Sequence, residues 1–306
     1  ATSWQRRAMK QGGFLLISLL QSVWGTKFQH TVNASKLSQE NDRCQCKDPT
    51  KRGSLPLCYP AKSGNDELFM WLPDPTGCHN PGAWPNVNDP KLAECLPRDR
   101  KQAIYLVGDS HAYVMQFTIR KATPVPVHHA SWPLDRAWNQ PVDVMPKALS
   151  KVVKRNDIIA MITTDTSSYD DHIKALKAVA QMKGAKLLIL ANYPWLKQDP
   201  SLCFMKAEKS GNKGKATGCG QSYNMVADRP LAQMAERAAQ QSPGVVFFFD
   251  PLPNLCKPGS FCDVWIPGTD RPAFMDAHHL NTVGREYLAQ PMCRFLEEKF
   301  GIGWIH

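Results

Sequence analysis

From residue 101 to the end of the chain, short apolar runs of strand length alternate with amphipathic stretches of helix length, and that alternation restricts the fold more than any other feature. The runs fall at 103–107, 125–130, 157–162, 186–191 and 245–249. Helical patterns follow at 111–121, 170–183, 225–240 and 282–299. In the second of these, Ile173, Leu176, Val179 and Ala180 share one face before Gly184 stops the helix. Asn281 is a natural N-cap for the last. Strands alternating with helices predict a central parallel sheet covered on both faces, a three-layer α/β/α sandwich. In such sheets chemistry collects where the strands end, at their carboxyl edge.

At that edge, directly behind Ile104-Tyr105-Leu106-Val107, stands Gly108-Asp109-Ser110-His111. The serine falls at a strand-to-helix turn. A serine hydroxyl is a weak nucleophile until a base takes its proton, and the base needs a carboxylate to orient it. Asp276-Ala277-His278-His279-Leu280 supplies an aspartate and a histidine three residues apart, which can face one pocket from a single turn. Gly108 permits a sharp bend, Asp109 braces the turn through hydrogen bonds, and amides at the start of the helix can stabilise a developing oxyanion. His111 is expected beside the site, touching substrate. His128 and His129 point to opposite faces of a strand and read as structural. Asp165 and the pair Asp170-Asp171 match acidic residues at a helix start. Trp132, Trp138 and Trp195 follow strands, where an indole either stacks on a sugar or packs into a loop.

The chain has 306 residues, 43% of them hydrophobic, enough for one large core or two modest ones. Its formal charge of +10 is scattered, with small clusters such as that from Lys206 to Lys215 and no nucleic-acid-binding signature, so nucleic acid is excluded as a partner. Ten cysteines indicate an oxidising compartment. Cys203 with Cys219 and Cys256 with Cys262 are natural local bridges. Cys44, Cys46, Cys58, Cys78 and Cys95 then remain with Cys293, and full pairing requires one of the five to reach Cys293. Zinc is disfavoured because Cys44-Gln45-Cys46 leaves too small a gap, and no metal or organic cofactor is expected. Arg6, Arg7 and Lys10 before the apolar stretch from Gly12 to Leu20 resemble a signal peptide, too short for a confident membrane span. Asn33-Ala34-Ser35 is a glycosylation sequon. Three regions result: 1–29, signal-like or membrane-proximal; 30–100, a cysteine-rich, loop-dominated extension; and 101–306, the catalytic domain.

Gly-Asp-Ser-His after a strand, with Asp-x-x-His-Leu before the final helix, resembles the SGNH (GDSL-like) hydrolases. The resemblance is to the extracytoplasmic SGNH domains of membrane O-acyltransferases that modify cell-surface glycans. Asn192-Tyr193-Pro194, Cys203 with Cys219, Phe249-Asp250 and Cys256 with Cys262 recur there in the same order, across roughly residues 101–300. The resemblance implies a flavodoxin-like SGNH fold with Ser110 as nucleophile, His279 as base and Asp276 as its partner. It favours His279 over His278, which would be a neighbour pointing away. Typical SGNH enzymes add a glycine after the second strand and a Gly-x-Asn-Asp block as oxyanion donors. This chain has His129-Ala130-Ser131 and Thr163-Thr164-Asp165 instead. The candidate oxyanion or substrate-binding residues are therefore Gly108, His111, Ser131 and Thr164.

The expected function is a serine-dependent acyl-ester hydrolase or O-acyltransferase, with O-acetyl groups of a glycan as the leading substrate and a Ser110 acyl-enzyme. The resemblance implies a membrane-bound acyltransferase portion or partner and a secreted or extracytoplasmic, membrane-attached location. The alternatives are a non-catalytic glycan-binding module of the same fold and a lipid esterase.

Overall fold

The computed structural model describes residues 101–131, 144–164, 168–215, 217–227 and 229–304. The expected signal-like and cysteine-rich regions, the sequon, Trp132, Trp138 and Asp165 lie outside the described residues.

Five strands form one parallel sheet: β1 (Ile104–Gly108), β2 (Val127–Ser131), β3 (Ile158–Ile162), β4 (Lys186–Leu190) and β6 (Val246–Phe249). Their order is β2-β1-β3-β4-β6. Each central strand is apolar at every position because both faces of the sheet are covered. Alternate residues go to opposite sides. Ile104, Leu106, Ile158, Ala160, Ile162, Leu188 and Leu190 join one buried cluster, and Tyr105, Val107, Ile159, Met161, Leu187 and Ile189 join the other.

Helices α1 (Ser110–Ala122) and α8 (Thr282–Phe300) cover the first face through Val114, Met115, Ile119, Leu288, Met292 and Leu296. Helices α2 (Val144–Val152), α3 (Tyr169–Lys183) and α6 (Pro230–Gln241) cover the second through Leu149, Ile173, Leu176 and Ala235. The expected three-layer sandwich is therefore present. Asn281 caps α8 by accepting the Gly284 N–H at 2.9 Å.

Three local expectations change. The pattern at 225–240 divides into α5 (Tyr223–Ala227) and α6, because Pro230 forces Arg229 out of helical geometry while suiting the first position of the next helix. The segment between Cys203 and Cys219, expected as a Gly/Lys-rich loop, begins as α4 (Pro200–Lys209), started by Pro200 and capped by the Asp199 carboxylate on the Ser201 N–H. Helix α2 was not expected. A short antiparallel pair, β5 (Gln221–Ser222) with β7 (Phe261–Cys262), joins the two cysteine-bearing segments, and α7 (Leu252–Leu255) lies between β6 and β7.

Cys203 is bonded to Cys219 and Cys256 to Cys262, as expected. Cys293 is disulfide-bonded as well. The five upstream cysteines lie outside the described residues.

Candidate active site

The first strand determines where the serine goes. Gly108 closes β1 with φ at +148° and lies in register with Ile162 of β3 and Ser131 of β2. A Cβ there would sit 1.8 Å from the Ile162 carbonyl oxygen. Only glycine lets the strand end this close to β3 and turn at once into α1.

Asp109 then caps α1. Its Oδ1 accepts the His111 N–H at 2.8 Å, while Oδ2 accepts the Thr164 N–H at 2.7 Å, the Thr164 hydroxyl at 2.9 Å and the Thr163 hydroxyl at 3.2 Å. One carboxylate thus ties the end of β1 to the end of β3. Asn192, just past β4, donates from Nδ2 to the Thr163 carbonyl at 2.7 Å. Its own carbonyl accepts from the Arg229 guanidinium, which also pairs with Asp250 Oδ1 at 2.5 Å. Asp250 follows β6, so the ends of four strands are linked in one polar network. Sequence reasoning placed Asn192 and Asp250 as landmarks and missed Arg229 altogether. Its only local signal is a basic residue before Pro230, which says nothing about a strand end.

From the opposite side comes the loop before α8. The Asp276 Oδ1 accepts the backbone N–H groups of His278 and His279 at 2.9 and 2.8 Å, and Oδ2 lies 2.7 Å from His279 Nδ1. His279 Nε2 is 2.7 Å from Ser110 Oγ, across 169 residues of sequence. The loop is fixed by Met275 N–H to His279 carbonyl and by Leu196 N–H to Ala277 carbonyl, at 2.9 and 2.6 Å. Burial pushes the Asp276 carboxyl up, but the His279 side chain and the two backbone donors outweigh it and hold the group at about 2. At neutral pH it is a carboxylate.

Two further histidines adjoin this pair. His111 is 1% exposed and stacks on Tyr193, with ring centroids 4.9 Å apart. Burial brings its imidazole down to about 3 against the pull of Asp109, and His279 and His278 lower it further. His278 was expected to point away. Instead its ring centroid lies 4.1 Å from that of His279, and it stacks between His111 at 5.6 Å and Trp195 at 4.8 Å. The reason is Asp276, whose carboxylate draws both backbone amides into one tight turn. Burial and His279 lower the His278 imidazole below its ordinary value. His128 and His129 are both buried on β2, their rings near Tyr105 and Tyr113 respectively, on opposite faces of the sheet.

The His111 N–H is committed to Asp109, and so are the N–H and hydroxyl of Thr164. The N–H groups of Ala112 and Tyr113 turn back onto the Asp109 carbonyl. Ser110 is the first residue of α1, and its N–H is the first-turn amide left without an acceptor among the described residues. Ser131 ends β2 directly beside Gly108.

His111, His278 and His279 also offer ring nitrogens within 4.8 Å of one another, a set with metal-ligand chemistry. Both nitrogens of His279 are already engaged, by Asp276 and Ser110.

The family model for the SGNH domain fused to AT3 domains matches residues 134–292. The chain belongs to this family. The matched stretch takes in Asp276 and His279 and begins downstream of Ser110. Among solved structures, the chain is similar to the periplasmic domain of the lipopolysaccharide acetyltransferase of Salmonella ser. Paratyphi A, at 12% identity and a TM-score of 0.49, covering 73% of this chain and 89% of that one. It is also similar to the C-terminal catalytic domain of Streptococcus pneumoniae peptidoglycan O-acetyltransferase A, at 13% identity and a TM-score of 0.35, covering 66% and 96%. No curated protein sequence matches. Among the described residues, no helix is long and apolar enough to cross a membrane.

Proposed function

We propose that this SGNH domain is an extracytoplasmic serine esterase or O-acyltransferase acting on O-acyl groups of a glycan, acetyl above all, with Ser110 as nucleophile. One observation carries the reading: Ser110 Oγ, His279 and Asp276 form a continuous hydrogen-bonded chain with both links at 2.7 Å. Because Asp276 is ionised, Nδ1 of His279 carries the proton and donates it there. Nε2 is left as an acceptor for the serine hydroxyl.

In the reaction, Nε2 takes the Oγ proton as Oγ attacks the ester carbonyl. The oxyanion accepts from the Ser110 amide, at the positive end of α1. Ser131, which ends β2 beside Gly108, supplies the second donor. Collapse of the intermediate expels the alcohol, which takes the proton from His279 and leaves acyl-Ser110. Water or a sugar hydroxyl, deprotonated by His279, then attacks the acyl carbon and frees the serine. Fusion of the family to AT3 domains favours transfer from a membrane-bound acyltransferase portion. The Cys203–Cys219 and Cys256–Cys262 bonds favour an oxidising, extracytoplasmic setting.

The test is labelling of folded, oxidised protein with a fluorophosphonate probe. The expected result is stoichiometric modification that Ser110→Ala abolishes and His279→Ala strongly slows. Labelling that is absent, or that survives Ser110→Ala, overturns the proposal in favour of a non-catalytic glycan-binding module. On model esters, acetyl is expected to be preferred to long acyl chains, and the reverse preference indicates a lipid esterase.

A further inference from the structure

Trp195 is the exposed tryptophan among the described residues: 49% of it remains accessible, whereas Trp265 is buried. An indole covers about 150–250 Å² and normally hides most of it, so half-exposure beside a candidate active site calls for an occupant. One face of the ring is already taken by His278, at a centroid distance of 4.8 Å and an interplanar angle of 27°. Behind His278 the stack continues through His111, at 5.6 Å and 17°, to Tyr193, at 4.9 Å and 21°. Four rings therefore form a column that runs from the buried Tyr193 and His111 through the partly exposed His278 to the open Trp195.

The position of that outermost ring is set by the same loop that carries Asp276 and His279. Leu196, the next residue, donates its N–H to the Ala277 carbonyl at 2.6 Å, and Lys197 donates to the Cys219 carbonyl at 2.6 Å, so the chain just after the indole is anchored twice. Pro194 precedes the indole and restricts the backbone further. The open face is thus held in a fixed relation to the Ser110–His279 pair.

We infer that Trp195, backed by His278, is a sugar-binding platform that receives the C–H face of a pyranose ring bearing, or accepting, the acyl group. This rests on the acyl-transfer reading of Ser110 for its orientation. The choice of a sugar over an apolar chain follows from the surroundings. The side chains of His278 and Asp276 are 35% and 38% accessible beside the platform. An acyl chain lying there would strip water from them and return no hydrogen bond, whereas sugar hydroxyls replace the lost water. A pyranose offers a flat apolar face to the indole and a polar rim to the two flanking groups.

The experiment measures binding of partially O-acetylated cello-oligosaccharides to the full, oxidised chain carrying Ser110→Ala, so that no turnover occurs. Calorimetry gives the affinity, and quenching of tryptophan emission reports the contact. The expected result is saturable binding that Trp195→Ala weakens about tenfold or more, while Trp195→Phe, which keeps an aromatic face, stays within about threefold of the parent. A thermal melt of each variant controls for folding. Binding equal in Trp195→Ala and parent overturns the inference, and so does absence of binding by the parent. Fluorophosphonate labelling of the Ser110-containing protein reports separately on catalysis: labelling with Trp195-independent binding removes the platform alone, and Trp195-dependent binding without labelling removes the acyl-transfer reading alone.

Discussion

Replacing Gly108 by alanine places a methyl group 1.8 Å from the Ile162 carbonyl oxygen, 2.9 Å from its carbon and 3.1 Å from the Ala112 side chain. Attractive contacts between heavy atoms lie near 3.5 Å, so relief requires β1 and β3 to separate by more than about 1 Å at their paired ends. Both strands are buried on each face, and the Asp109 network fastens the same point from the other side. Forced overpacking costs about 1–3 kcal/mol. The backbone angle of +148° adds a second cost of about 1–3 kcal/mol for a residue with a Cβ. Together these give about 2–6 kcal/mol, a large share of the roughly 5–15 kcal/mol by which domains are stable. Gly184→Ala is the matched control. That glycine also has a positive φ, +65°, but the nearest foreign atom is the flexible Arg155 Cγ at 3.3 Å, and the expected cost is only about 1–2 kcal/mol. Urea denaturation of the oxidised proteins, read as the shift in midpoint at constant slope, gives both values. If Gly108→Ala costs no more than Gly184→Ala, the close approach of the two strands is not what requires glycine, and the account of how Ser110 is placed fails with it.

Two other perturbations probe the site. Asp109→Asn keeps the size of the capping side chain but sets an amide against donors that now share a carboxylate, so stability should fall by about 2 kcal/mol and fluorophosphonate labelling of Ser110 should slow; unchanged midpoint and labelling rate would remove Asp109 from the positioning of the serine. His111 gives a pH signature. Its folded value, held at about 3 chiefly by burial, lies below its ordinary 6.5, so the unfolded chain binds the extra proton first as pH falls. The stabilisation is complete above about pH 6.5, declines toward pH 3, and by pH 5 amounts to a loss of roughly 2 kcal/mol. Asp109 and Asp276 oppose this trend and His278 and His279 reinforce it. His111→Phe, which preserves the stacked ring, should flatten stability between pH 7 and 5, and an equally steep fall in that variant would contradict the assignment.

How much of this was legible in the sequence depends on the range over which each feature is encoded. The strands at 157–162 and 186–191 and the helices at 170–183 and 282–299 were found within a residue or so. Their cause is local: an apolar run between polar stops, or a 3.6-residue stripe ending at Gly184. The helix at 200–209 was hidden because lysines and glycines at 206–215 dominate that stretch, while the actual start signal is only Asp199 followed by Pro200. Helix α2 buries Met145 and Leu149 and has a single short face to show. The break at Pro230 was in plain view, but apolar periodicity on both sides outweighed it.

The site divides along the same line. The Asp276–His279 pairing is built within four residues, from one carboxylate that caps two amides and meets one ring, so its spacing was informative by itself. Ser110 meets His279 from 169 residues away, and nothing in either segment encodes that distance. It follows from the sheet order, which puts β1 in the interior with α1 and the α8 entry loop on one face. The end of β3 was the least legible part, since the Gly-x-Asn-Asp pattern is missing there. In its place Thr163 and Thr164 grip Asp109, and Asn192 reaches back from β4 to hold Thr163. A side-chain amide at the end of a neighbouring strand does the bracing that a local block would otherwise do. Such a substitution across strands leaves no trace in local sequence spacing.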